Sequence, residues 1–383
     1  MAVYKIFPIK DASLYSFYPY MNTGIDSIIE TGNLNLNFDP VPQVFRFLVK
    51  FDQSEIESVI DDKVSGSFSA DFKTYIAQAQ GIVEETTIEL YPVSGSWNNG
   101  TGTYLDSPLT TNGVSWRART FSGSGGTNWL TGGYPTYVTG SYSGSFLGGG
   151  NWFTGSDDPN NIDLTPSQTF SQRSRKDLKI NVTDIVNIWY SSSNSIGGYT
   201  NIANEGFLVK WEDAVEFSKA DATQPIMQFY SVDTNTIYPP ELEIKWDDQS
   251  FETGSLTEIA TQDLFVALDN NPGVFYSESV NRFRLNVRPE YPVRTFRTAS
   301  DYTINQYLNS SSLYAVQDLD TNEYVIDFNS NYTKISCDEN GNYFDIYMNG
   351  LEPERYYKIL IQTTISGSTI VKDDRYYFKV VNG

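Results

Sequence analysis

Histidine is absent from all 383 residues. Its absence removes Ser-His-Asp and Cys-His nucleophile systems, His-ligated metals and the commonest neutral-pH general base. Cysteine occurs once, at Cys337, so neither an intrachain disulfide nor a thiolate zinc cluster can form. Cys337 sits in Lys334-Ile335-Ser336-Cys337-Asp338 ahead of an Asn340-Gly341 turn, where a small strand residue is expected. No apolar run is long enough to span a membrane without polar interruption. The opening Met1-Ala2-Val3-Tyr4-Lys5-Ile6 has no basic stretch followed by an apolar one. The chain is therefore expected to be made in a cytoplasm and to leave, if at all, by a route other than Sec. Positive charge is also scarce: 26 Lys and Arg stand against 47 Asp and Glu, a formal net charge of -21. Such a chain repels phosphate backbones and anionic lipid, so neither nucleic acid nor membrane is an expected partner. The excess implies solubility, or a negative face that docks on a basic partner or collects divalent cations.

Aromatic residues are abundant, 15% of the chain, led by 27 Tyr and 23 Phe. Aromatic and β-branched side chains suit half-buried pleated surfaces, and the composition as a whole (39% hydrophobic, 19% charged) is that of a globular chain. Strand patterns recur. Residues 44–51 (VFRFLVKF) are rich in β-formers, with Arg46 and Lys50 on one face; residues 86–91 (TTIELY) alternate and stop at Pro92. Residues 207–211 (FLVKW) and 242–246 (LEIKW) follow the same pattern, and in the latter Glu243 and Lys245 are expected to face water. Residues 181–190 open on residues of capping type and space Ile185, Ile188 and Trp189 as one helical face. Short helices are also read at 53–59 and 72–79.

Residues 94–155 depart from this order. They are rich in Gly, Ser and Thr, contain Gly123-Ser124-Gly125-Gly126 and Gly148-Gly149-Gly150, and are punctuated by aromatics. A loop of that length inside a compact domain is functional or disordered, and the regular aromatics favour an ordered excursion anchored by its rings.

A polar stretch at 248–256 reads as a linker between a first domain, 1–247, and a second, 257–383. In the second, residues 281–288 (NRFRLNVR) alternate strictly between apolar and mostly arginine positions. Strand patterns at 324–328, 343–348, 356–361 and 375–380 are separated by turn signals at Asn340-Gly341, Asn349-Gly350 and Ser366-Gly367-Ser368. Short strands at this spacing imply a sandwich of immunoglobulin size. The segment Asn349-Gly350-Leu351-Glu352-Pro353 is similar to the turn before a late strand in fibronectin-like domains.

The order of elements in 1–247 resembles the DNRLRE-type β-sandwich, a jelly roll related to carbohydrate-binding modules. The matching parts are RFLVKFD (Arg46 to Asp52), IELYPV (Ile88 to Val93), the segment bearing Trp97 and Trp116, the helix Val182 to Trp189, the strand Asn204 to Lys210 and the closing Pro240 to Trp246. The opening KIFPIKDASLYSFYPYMNTGIDSIIE and the closing YYFKVVNG resemble virion structural proteins of contractile-tailed phages, those of marine cyanobacteria in particular. That resemblance implies assembly in a host cytoplasm and release by lysis into a virion, with other virion structural proteins as partners. The fold expected is all-β: a jelly-roll-like sandwich carrying a long Gly/aromatic loop, then a smaller immunoglobulin/fibronectin-like sandwich.

Candidate sites follow. Trp97, Trp116, Trp129, Tyr134 and Trp152 either stack on sugar rings or anchor the long loop to its own sandwich or to a neighbouring subunit. Asp157 and Asp158 offer oxygen ligands for Ca²⁺, or form a plain polar turn. The arginines at 282, 284, 288, 294 and 297 are a solvated outer face or an interface, with Arg282, Arg284 and Arg288 on one strand. No catalytic pair of carboxylates stands out and no cofactor is implied. The expected function is a non-enzymatic docking or adaptor subunit, homo-oligomeric in a symmetric tail, baseplate, neck or fibre-attachment assembly. A carbohydrate-binding adhesion module contacting host surface glycans and a capsid decoration protein are the alternatives.

Overall fold

The structure, a computed structural model, describes residues 2–34, 43–82, 85–123, 125–129, 148–154, 164–194, 202–216, 225–269, 271–293, 296 and 301–383. It is almost entirely β. The chain opens with β1 (Ala2–Ile6), β2 (Pro8–Tyr15), β3 (Ile28–Leu34) and β4 (Gln43–Phe51), then α1 (Gln53–Asp62). Next come β5 (Phe68–Thr74), β6 (Ile76–Gln80), β7 (Thr86–Pro92), β8 (Ala118–Ser122), β9 (Gly125–Asn128), β10 (Ser167–Phe170) and β11 (Leu178–Asn181). Then follow α2 (Thr183–Ser193), β12 (Phe207–Trp211), α3 (Asp213–Glu216), β13 (Ile226–Tyr230) and β14 (Glu241–Trp246). The remainder holds β15 (Leu264–Asp269), β16 (Val274–Tyr276), β17 (Val280–Pro289), β18 (Leu313–Asp318), β19 (Tyr324–Ile326), β20 (Ser336–Asp338), β21 (Gly341–Tyr347), β22 (Tyr356–Ile365) and β23 (Ser368–Val381).

Two compact units result. The first comprises Ile6–Asp61 and Ala70–Glu243; the second comprises Ile244–Gly383 together with Met1–Lys5 and Asp62–Ser69.

The first unit is built on a sheet of order β10-β7-β12-β4-β3-β13-β6, with β2 also paired to β4. One layer of its packing is aromatic. Phe51 of β4 and Phe207 of β12 lie 6.0 and 5.3 Å from Phe72 of β5, and Trp189 of α2 stacks 4.7 Å from Phe207. Burying rings of this size is the main stabilising term available to such a layer. The segment expected to be a helix at 72–79 is instead parts of β5 and β6. Its Ala70, Phe72 and Thr74 alternate inward while β5 pairs with β11, and that period of two prevails over the short helical reading. In β14, Glu243 is buried rather than facing water, because Lys73 of β5 reaches it at 2.7 Å. Lys245, which belongs to the second unit, is buried too, its ammonium over the Tyr332 ring of that same unit. At α2, Asn181 Oδ1 accepts the Thr183 N–H at 3.3 Å.

The second unit has two sheets, β15-β17-β21-β20 and β16-β23-β22-β18-β19. Its core joins Phe283, Leu285 and Val287 of β17, Phe344 and Ile346 of β21, and Ile359 and Ile361 of β22. Phe283 stacks on Phe344 and Phe344 on Tyr314, with centroids 5.6 and 4.3 Å apart. Cys337 on β20 is fully buried, and burial pushes its thiol up to about 11.

Candidate functional site

The described part of the long excursion folds back on the first unit. Trp97, Trp116, Trp129 and Trp152 join Leu14, Val44, Leu48 and Leu208 in one buried cluster, each ring 5% exposed or less. Two of the indole N–H groups are committed locally: Trp97 Nε1 donates to Glu205 O at 2.9 Å and Trp129 Nε1 to Ser115 O at 3.0 Å. Of the two readings weighed for these rings, the structure places these four as anchors within the unit, with no face open for a sugar. Tyr134, Asp157 and Asp158, with Arg294 and Arg297, lie outside the described residues.

Beneath this cluster lies a buried charge pair. Arg46 of β4 donates from Nε and Nη2 to both oxygens of Glu216 in α3, and from Nη1 to Gly149 O at 2.9 Å. Its guanidinium also lies over the Trp116 and Trp152 rings, 5.1 and 5.4 Å from their centroids. Lys210 adds ion pairs to Asp213 and Glu89. Glycine is required where the excursion passes Arg46. At Gly149 and Gly150 φ is +77° and +102°, and a Cβ on Gly150 would stand 2.3 Å from the Leu208 side chain.

Arg282 and Arg284 of β17 are paired inside their own sheet. Arg282 grips Asp345 at 2.8–2.9 Å and Arg284 grips Asp338 at 2.6–2.9 Å, each through two nitrogens. Both guanidiniums lie over the Tyr343 ring, and Arg288 lies over Phe265 and Tyr302. Hydrogen bonds from Arg284, partly opposed by burial, hold Asp338 below the usual carboxylate range.

Two surfaces remain that the sequence did not single out. The first is a cleft of 360 Å³ in the first unit. Its floor is one transverse row across five strands: Tyr15 opposite Phe45, Phe45 opposite Gly32, Gly32 opposite Ile226, and Ile226 opposite Gln80. Directly opposed residues share a sheet face, so the row is continuous. Gly32 is what lets the Phe45 ring lie across β3, since a Cβ there would meet that ring at 2.6 Å. In the next row Gln228 opposes Glu30 and donates to its Oε2 at 2.8 Å, while the Tyr15 hydroxyl donates to Oε1 at 2.5 Å. Burial, then the Glu30 charge, pushes the Tyr15 pKa well up, so its hydroxyl stays a donor. Phe17 and Tyr104 form the rim, Tyr104 packing 5.1 Å from Tyr15 and 43% exposed. The Tyr104 N–H is received by Asp26 Oδ2 at 3.1 Å, and burial raises the Asp26 pKa despite that bond. Tyr104 is set there by Asn22, whose side chain makes bonds to Asn99 O, Val114 O and the N–H groups of Gly102 and Gly24.

The second surface is the outer face of β16-β23-β22-β18-β19. Tyr377, Lys358, Gln317 and Tyr324 form one cross-strand row, and Lys379 opposite Tyr356 lies in the next. Tyr276, Tyr324, Tyr356 and Tyr377 are 40–63% exposed. Among the described residues no three carboxylate or thiol groups converge as a metal site, and no helix is long and apolar enough to cross a membrane.

No protein-family profile matches the chain. No curated protein matches it either. Among solved structures, the crystal structure of a DUF4785 family protein from Legionella pneumophila aligns over 98% of this chain at 8% identity, with a TM-score of 0.18. The chain spans 65% of that protein's length. A score at this level carries no argument about fold or function.

Proposed function

We propose that the chain is a non-enzymatic structural protein of a tailed-phage virion, acting as a docking or adaptor subunit in the tail, baseplate, neck or fibre-attachment region. The likeness of its opening and closing segments to contractile-tailed phage proteins supports the virion setting. The observation that carries the docking role is the tyrosine face of the second unit. Tyrosine is enriched at protein interfaces because it presents a large, rigid, amphipathic surface at small entropic loss. Four tyrosines exposed together on one sheet face are surface that a partner copy would cover. Lys358 and Lys379 on the same face are held by Asp373 and Glu354, so the face is nearly neutral within a strongly acidic chain. Self-association there avoids bringing the net charge of -21 directly against itself. Negative-stain microscopy of the purified full chain tests this. Closed rings of a single symmetry are expected, and a field of isolated single copies at high protein concentration overturns the reading.

A second reading, a saccharide-binding module, is favoured by one observation, the aromatic cleft of the first unit. It predicts that a neutral oligosaccharide binds there and is lost in Tyr104→Ala.

A further inference from the structure

Among the described residues, the cleft of the first unit combines four rings, two carboxylates and no cation. Tyr15, Phe17, Phe45 and Tyr104 line it with Asp26 and Glu30, and neither lysine nor arginine is among its described lining residues. Both Glu30 oxygens are held by neutral donors, the Tyr15 hydroxyl and the Gln228 amide. Those bonds fix the carboxylate in place without neutralising it. Asp26 is held in the same way by the Tyr104 N–H. Burial raises its pKa, backbone N–H groups partly oppose that, and the nearby Asp106 carboxylate adds to the rise.

The rings add to the same preference. An aromatic face carries negative potential, so rings and carboxylates both favour a positive guest. A neutral guest gains from the rings alone, and an anion is repelled by both Asp26 and Glu30. At 360 Å³ the cleft is near the lower end of the ~300–1,000 Å³ typical of ligand sites. That suits one long side chain with its flanking peptide better than an extended oligosaccharide. Its walls match such a guest. Ile28, Leu34 and Ile226 would cover the aliphatic stem, and the carboxylates would meet the charged head.

We propose that this cleft seats a basic side chain, lysine or arginine, presented by a partner protein of the assembly. The proposal rests on the docking reading above and names the chemistry of the partner's contact. It also gives the acidity of the chain a local use, since the surrounding negative field would steer a basic segment towards the cleft.

The test is calorimetric titration of the full chain with three probes. These are a capped peptide with one central lysine, the same peptide with norleucine in its place, and a neutral glucose oligosaccharide. The lysine peptide is expected to bind at least tenfold more tightly than the norleucine peptide. Glu30→Gln and Tyr104→Ala should each weaken it at least tenfold, whereas Glu278→Gln, an exposed acidic residue of the other unit, should leave it unchanged. Tyr104 is on the rim and exposed, so its variant reads the cleft even where Glu30→Gln unfolds the chain. Equal weakening by Glu278→Gln and Glu30→Gln would mean a diffuse charge effect and overturn the proposal. Binding of the oligosaccharide with no preference for lysine over norleucine would overturn it in favour of sugar recognition. Particle symmetry of the Glu30→Gln variant is read in parallel. Rings that persist with a cleft blind to lysine reject this inference alone, and a lysine-binding cleft on a chain that forms no rings rejects the ring-forming reading alone.

Discussion

Arg46 and Glu216 form a two-pronged ion pair, Nε to Oε1 at 2.5 Å and Nη2 to Oε2 at 2.8 Å, with neither side chain open to solvent. The third guanidinium nitrogen fastens Gly149, so a single buried cation joins β4, α3 and the returning end of the excursion. Removing Glu216 takes from the buried Arg46 its two-pronged carboxylate, and removing Arg46 leaves Glu216 only the longer contact to Lys210 at 3.7 Å. Arg46→Ala or Glu216→Ala should therefore destabilise the first unit by about 3–5 kcal/mol in denaturant unfolding. The paired change Arg46→Met with Glu216→Leu should cost far less. In any variant lacking Arg46, the Gly149 amide, which donates to Trp116 O, should exchange faster with solvent.

Asn22 performs the corresponding task with neutral groups. Both its amide hydrogens and its oxygen are used, and the residue is fully buried. Asn22→Ala strands two carbonyls and two N–H groups at once. A loss of about 2–4 kcal/mol is expected, since an unsatisfied buried polar group costs about 1–3 kcal/mol and the loop can partly relax. Because Asn22 fixes the loop that carries Tyr104, the same variant should also weaken lysine-peptide binding before it unfolds the chain.

Asp11 gives a pH signature. Burial is the largest influence on it, and its carboxyl is pushed up to about 8 although Val232 donates to Oδ2 at 2.7 Å. Between its ordinary value of 3.8 and about 8, the folded chain binds more protons at this site than the unfolded chain. Stability from this group is therefore full below pH 4 and falls as pH rises through that window, by at most about 1.4 kcal/mol per pH unit. Unfolding free energies of the wild type and Asp11→Asn, measured from pH 5 to 8, should diverge with that sign. The decline should be shallower in the variant. Parallel curves would mean that Asp11 is ionised in the folded chain.

Much of the strand framework is legible in sequence because alternation is a local signal. Residues 44–51, 86–91, 207–211 and 281–288 all lie in strands, and 53–59 lies in α1. Failures come from context. Residues 72–79 carry a weak helical spacing that pairing with β11 overrides. Glu243 and Lys245 alternate correctly yet are buried, because the sequence does not reveal that both faces of β14 are covered. Nor does it reveal that Met1–Lys5 belongs with the C-terminal residues, a long-range association with no local mark. The cleft is hidden for a similar reason. Tyr15, Glu30, Phe45, Gln80, Tyr104 and Gln228 are scattered over more than half the chain; sheet register brings together all but Tyr104, whose loop is tied down by Asn22. The one local hint is Gly32 within a strand, a position where glycine marks close approach by a neighbour. Conversely, the tryptophans stood out in sequence because they are large and regularly placed, which is also what makes them anchors.

Docking of a further copy of the chain on the tyrosine face of the second unit is read from the solution mass of the wild type and of the Tyr356→Ser, Tyr377→Ser double variant, measured by light scattering over a range of concentrations. Both substituted rings are 40% exposed or more, so the melting temperature should be unchanged. A closed oligomer of fixed mass is expected for the wild type and a monomer for the variant. A wild type that is monomeric throughout, or an oligomer indifferent to both substitutions, would contradict that docking.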